Sequence, residues 1–305
     1  MVLQLPQWVG KTAFYQGGGA SPAAAPSATW NVALSSSGAL LPSPGKSLFP
    51  GISMITVTKL GKHLGARITG VDLSEPLDDD TFAQVSQAFF DNEVAVFPGQ
   101  KLTPEQQIAF TRRFGLLEHH VRKEARLADH PEIFILSNKV DGQGKAIGAQ
   151  DAGRYWHSDL SYKTQPSLLS ALYAVEIPVK DGKPLGDTHF ASSTAAYTAL
   201  PEAMKQKLAS LKNIHSYRDY RIKNYAAQQD DMRRGIRTVQ EHAPTPEQLS
   251  SVPDMATPVV RVHPVTKRKG LFVSEGHTSH MYDMAQEEGD QLLLQLYDHI
   301  TSPEF

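Results

Sequence analysis

From Ile55 onward the chain is punctuated by short apolar runs, and their periods separate strands from helices. ITVTKL (55–60) and ARITGV (66–71) are β-branched with partial alternation, the pattern of strands. VAVFPG (94–99) reads as a short buried strand stopped by Pro-Gly, IFIL (133–136) as a core strand and THFA (188–191) as a further short one. SLLSALYAVEI (167–177) is long, apolar and bounded by proline. VVRVH (259–263) and GLFVS (270–274) flank HPVTKRK, which predicts a hairpin. Helical periods are fewer. DDDTFAQVSQAFFDNE (78–93) opens acidic and sets Phe82, Val85 and Phe89 on one face. In LTPEQQIAFTRRFG (102–115), Thr103 is an N-cap, Pro104 takes the first helical position and Gln106 completes a capping box. Residues 192–212 and 285–300 are the other helical stretches; 141–153 is a loop, and the polar stretch 218–257 reads as a lid or excursion. Many short strands with a few helices predict a mainly β protein with peripheral helices.

The first 53 residues break this texture. They are rich in Gly, Ala, Ser and Pro, and Lys11 and Lys46 are their only charges. Such a composition is expected to be disordered, leaving 54–305 as the folded domain. Over the whole 305 residues the formal net charge is −2, so no basic excess exists to hold nucleic acid or a membrane surface. No apolar run approaches the roughly 20 residues of a membrane span. Cysteine is absent, which removes disulfides, thiolate metal sites and thiol nucleophiles and fits a cytoplasmic location. Any metal must sit on His, Asp or Glu.

GRYWHSDLSYK (153–163) carries the candidate chemistry. On a strand, His157 and Asp159 project to one face, with Trp156 and Ser158 on the other. An imidazole and a carboxylate converging in this way suit a borderline divalent metal, and two histidines with one carboxylate form the facial set of non-haem Fe(II) oxygenases. A His–Asp hydrogen bond on a strand surface explains the same tripeptide, and a zinc hydrolase would need a third ligand and a base as well.

The chain from Met54 onward resembles the taurine dioxygenase / 2,4-dichlorophenoxyacetate dioxygenase family of Fe(II)/2-oxoglutarate enzymes. The matching stretches are LGARITGVDLSEPLDD, VAVFPGQKLTPEQQIAFTRRFG, GRYWHSDLSYKTQPS, GDTHFASSTAAYTALP, VVRVHPVTKRKGLFVSEGHT and HITSPEF, in that order. The resemblance implies a double-stranded β-helix (jelly roll, cupin-like) and Fe(II) held by His157 and Asp159. It also implies 2-oxoglutarate as co-substrate, hydrogen-bonded by Thr188, and a substrate-contacting histidine at His120. The implied reaction is hydroxylation of a small organic molecule, with no nucleic-acid or membrane partner.

In the family a second metal histidine and a 2-oxoglutarate-binding arginine follow the segment matching HITSPEF. Here the chain stops at Phe305, so the expectation is a barrel lacking its last strands, with open edges that invite pairing into a homo-oligomer. A catalytically inactive remnant that binds a ligand or partner is the rival expectation. Gly153 and Lys123 stand where taurine dioxygenase has Asn and Tyr, which turns the expectation away from taurine. Lys163 in LSYKTQP points to an anionic substrate of the sulfonate, sulfate-ester or aryloxy-carboxylate type.

Overall fold

The computed structural model describes residues 1–4, 9–12, 29–36, 54–150, 152–234 and 243–305. Its centre is a nine-stranded sheet. Along its path run Thr56–Lys59, Ala66–Thr69, Val94–Val96, Val2–Gln4, Ser167–Glu176, Thr29–Ser36, His130–Ser137 and Arg126–Leu127, while Leu116–Leu117 also pairs with Thr29–Ser36. All the pairings are antiparallel except that of Ala66–Thr69 with Val94–Val96. A three-stranded sheet, Met255–Pro258, Lys212–His215 and Thr278–Met281, and the expected hairpin, Val260–Val262 with Lys269–Leu271, form further layers.

Among the described residues seven α-helices decorate these sheets: α1 (Asp79–Asn92), α2 (Pro104–Arg112), α3 (Ser193–Ala199), α4 (Glu202–Leu208), α5 (Tyr217–Arg233), α6 (Pro246–Ser250) and α7 (Gln286–Ile300). The capping box of α2 forms as its sequence dictates, with Thr103 accepting from the Gln106 N–H and Gln106 accepting from the Thr103 N–H. A cap of this kind contributes about 1 kcal/mol. Helices α1 and α2 cover one face of the central sheet with an aromatic core, in which the Phe82 and Phe114 rings lie 4.9 Å apart, edge to face. Helix α7 buries Leu292, Leu293, Leu296 and Ile300 in a second core with Val259, Leu271 and Met281. The protein is mostly β with helices around it. Among the described residues no helix is long and apolar enough to cross a membrane.

Two sequence expectations change. The 1–53 segment contains strands at Val2–Gln4, Val9–Thr12 and Thr29–Ser36, and the rest of it lies outside the described residues. These strands are held by sheet neighbours, a stabilisation that a disorder reading of composition does not count. The Ser167–Glu176 strand has sheet neighbours on both edges, Val2–Gln4 along one and Thr29–Ser36 along the other. The expected excursion 218–257 begins as the 17-residue helix α5. Its buried face consists of Tyr217, Arg221, Asn224, Gln228 and Asp231, so hydrophobic periodicity could not reveal it.

Candidate active site

His157 and Asp159 converge as their spacing predicts, but not on a strand. Residues 158–163 turn, with Leu160 at φ 51° and the Lys163 N–H donating to the Leu160 carbonyl at 2.9 Å. His157 Nε2 lies 3.2 Å from Asp159 Oδ1, and the two side chains keep 21% and 23% exposure, enough for access from solvent or a ligand. The ring orientations follow from the hydrogen bonds. A backbone carbonyl can only accept, so His157 Nδ1–H donates to Tyr155 O at 2.9 Å, and Nε2–H donates to the Asp159 carboxylate beside it. A histidine that gives its other N–H to a carbonyl has the ring orientation that metal ligation uses, and Nε2 would release its proton when a metal binds. Ser170, in the Ser167–Glu176 strand, donates to Asp159 Oδ2 at 2.5 Å and so fixes the rotation of the carboxylate. Burial would raise the Asp159 pKa, but the His157 bond and charge and the Ser170 bond outweigh it and hold the acid well below the usual carboxylate range.

A second imidazole stands nearby. His277 sits perpendicular to His157 with ring centroids 5.7 Å apart, and its Nδ1–H donates to Ser158 O at 3.2 Å. Its turn can approach because residue 276 is glycine: a Cβ there would meet His157 Cβ at 3.0 Å, and the Gly276 N–H donates to Trp156 O at 2.8 Å. Tyr162 and Tyr220 contact the His277 ring at 5.0 and 4.6 Å. Burial, with the charges of His157 and His215, holds His277 well below the ordinary histidine range, so it is neutral. Among the described residues no group of three His, Asp or Glu side chains is placed to hold a metal ion. His157 and Asp159 therefore provide two donors of a facial set, and the third does not fall among the described residues.

His120, half of an HH pair that looks like surface loop in isolation, stacks on Phe134 at 3.9 Å between centroids. Burial, with the positive charge of Arg122, pushes its pKa down to about 3 against the pull of Asp159, with Lys163 and Arg221 adding to the depression. His120 is thus neutral. The Arg122 backbone N–H donates to its Nδ1 at 3.2 Å, which places the proton on Nε2. Lys163 pairs with Glu118 at 2.6 Å, so its charge is already engaged.

Thr188, in the Thr188–Ala191 strand, lines a cavity of 620 Å³ whose walls include Val2, Val96, Leu172, His63, Phe190 and Phe305. The volume falls within the roughly 300–1,000 Å³ range of small-molecule sites. Thr188 Oγ1 and His63 Nε2 are buried on this wall without a hydrogen-bond partner among the described residues. His157 and Asp159 stand outside this lining, but Leu172 and Ser170 are two apart on one strand and share a face of the sheet. The serine that touches Asp159 and the leucine that lines the cavity are thus about 7 Å apart along that face. Sequence reasoning missed Ser170 and His63. A serine at an alternating position inside SLLSALY was the one available signal.

A model of the taurine catabolism dioxygenase TauD, TfdA family matches residues 56–305. The alpha-ketoglutarate-dependent 2,4-dichlorophenoxyacetate dioxygenase of Cupriavidus pinatubonensis is 29% identical over 82% of this chain and 84% of its own length. The (S)-phenoxypropionate/alpha-ketoglutarate-dioxygenase of Sphingobium herbicidovorans is 30% identical over 81% and 79%. Among solved structures, AAD-2 in complex with Mn(II) and N-oxalylglycine superposes with a TM-score of 0.54 at 27% identity, covering 83% of this chain and 81% of that one. A family match over 250 residues, with aligned relatives that use alpha-ketoglutarate, establishes that this chain belongs to the TauD/TfdA family of dioxygenases, oxidoreductases that employ Fe(II) and 2-oxoglutarate.

Proposed function

We propose that this chain binds Fe(II) through His157 and Asp159 and acts on a small organic anion of the sulfonate, sulfate-ester or aryloxy-carboxylate type, on a jelly-roll scaffold. The observation that carries the reading is the pair itself: His157, its Nδ1–H fixed on Tyr155 O, has Nε2 3.2 Å from a carboxylate held ionised and oriented by Ser170. Fe(II) with 2-oxoglutarate, when bound, supplies the oxidising power of the family. The chain's own residues supply placement. His157 and Asp159 present one neutral and one anionic donor, and Thr188 Oγ1 donates to a carboxylate of 2-oxoglutarate in the cavity it lines. His120 offers its Nε2–H to the substrate, while Lys163, paired with Glu118, shapes the approach rather than binding the anion alone. Leu172, Val96 and Phe190 keep that cavity apolar and poor in water.

A second reading, a protein that binds a ligand without turning it over, is favoured by the two-donor set among the described residues. One experiment separates them. Mn(II) binding is followed by electron paramagnetic resonance, and succinate formation from 2-oxoglutarate is measured with Fe(II) and 2,4-dichlorophenoxyacetate as probe. The proposal expects micromolar Mn(II) binding weakened at least about tenfold in His157→Ala and in Asp159→Ala, since each removes one of the two donors. Metal binding without succinate selects the second reading; wild-type affinity in both variants sinks the site.

A further inference from the structure

Helix α5 lies across the candidate site and is held there at several points. Near its N-terminal end, Ser279 Oγ donates to Asp219 at 2.5 Å and Tyr220 packs on His277. Midway, Lys223 sits 4.1 Å over the Tyr155 ring and donates to Glu275 O at 3.2 Å. Towards its C-terminal end, Asp231 forms an ion pair with Arg154, three residues before His157. Tyr217, four residues before Arg221 and on the same helical face, contacts Tyr162 at 5.0 Å in the core that also holds Leu160 and Phe134. The helix therefore carries Arg221 on the face that meets Tyr162 and His277.

Arg221 is 7% exposed and, among the described residues, makes no hydrogen bond or ion pair. The other cations around it are engaged: Lys163 with Glu118, Arg122 with Glu124 at 3.0 Å, Arg154 with Asp231, and Arg126 with the His120 carbonyl at 2.7 Å. A guanidinium on a largely buried side chain that no acid or carbonyl engages has its donors open to an anionic ligand. The field of Arg221 reaches the site, since its charge acts on His120, Glu124 and Tyr162.

We propose that Arg221 is the anion-binding residue of this site, taking the carboxylate or sulfonate of an organic substrate in a bidentate pair while His120 Nε2–H donates to the same group. This rests on the reading of the site as one for a small organic anion, and it moves the decisive charge from Lys163 to α5. A planar fork favours a carboxylate or sulfonate over a neutral amide of the same shape.

The test uses the full chain and three probes: phenoxyacetate, phenylmethanesulfonate and neutral phenoxyacetamide. Affinity is read by calorimetry and by the ligand-induced rise in unfolding temperature. Arg221→Met is expected to weaken binding of the preferred anion about tenfold or more, from loss of a charge-assisted pair, and to leave the amide unchanged. Arg221→Lys is expected to fall between them, and ligand-free Arg221→Met should unfold within a few degrees of the wild-type temperature, because no hydrogen bond or ion pair is lost. Arg221→Met that binds the anions as wild type does, or both variants losing cooperative unfolding, overturns the assignment. Failure of the wild-type chain to prefer either anion overturns the anionic-substrate reading and this proposal with it. Succinate formation in the same samples reports separately on the dioxygenase chemistry.

Discussion

Ser170 sets the orientation on which the candidate metal pair depends. Its hydroxyl is fully buried and reaches Asp159 Oδ2, which turns Oδ1 toward His157. Removing such an orienting partner costs metal affinity, typically by about 10–100-fold, while deleting a single hydroxyl changes folding stability by about 1 kcal/mol. Ser170→Ala is therefore expected to weaken Mn(II) binding in that range with an unfolding temperature within a few degrees of wild type. Unchanged affinity would mean that Asp159 needs no orienting partner. At this scale the sequence is uneven. His157 and Asp159 are visible as a tripeptide, and Thr188 and His120 through the family resemblance. Ser170 and Arg221 reach the site from positions 11 or more residues away in the chain, and no local pattern reports a contact made only by folding.

The elements best predicted from sequence are those whose buried face is apolar. Helices α1, α2 and α7 fall within a residue or two of their expected bounds because Phe82, Val85 and Phe89, or Leu292, Leu293 and Leu296, trace a stripe. Helix α5 escapes notice because its stripe is polar. The end of α1 carries a different polar burden. Glu93 caps it at φ 69°, only 2% exposed, 2.6 Å from Arg268. Burial pushes the carboxyl up to about 8 despite the arginine and the Ser192 hydroxyl. Between the ordinary value of 4.5 and 8, the folded state holds a proton that the unfolded chain has released. Stability from this group is thus full below about 4.5 and is lost as the pH rises toward 8. The fall in unfolding temperature from pH 5 to pH 8 is expected to shrink in Glu93→Gln, measured by circular dichroism at several pH values. An identical fall in variant and wild type would show that Glu93 titrates normally.

For the whole molecule, the decisive contacts join the N-terminal strands to the family-matched region. The family match begins at residue 56, yet the Ser167–Glu176 strand has both of its sheet neighbours, Val2–Gln4 and Thr29–Ser36, from before that point. Composition reads this segment as disordered because strands of three to eight residues owe their order to the partners on either side. Leu3 and Ala171 are register partners and both are fully buried in the core that α1 and α2 cover. Paired residues on adjacent antiparallel strands have Cβ atoms about 4.5–5.5 Å apart, within a small adjustment of disulfide geometry. The chain has no cysteine, so a Leu3→Cys, Ala171→Cys pair reports on this contact without background. Mild oxidation of the double variant is expected to give an intrachain cross-link in the monomer, seen as a faster band on a non-reducing gel, and a higher unfolding temperature than the reduced form. Each single variant should give no such band. A cross-link found only between two chains would place the first strand in a neighbouring copy, and the absence of any cross-link would leave the Ser167–Glu176 strand with an open edge in solution.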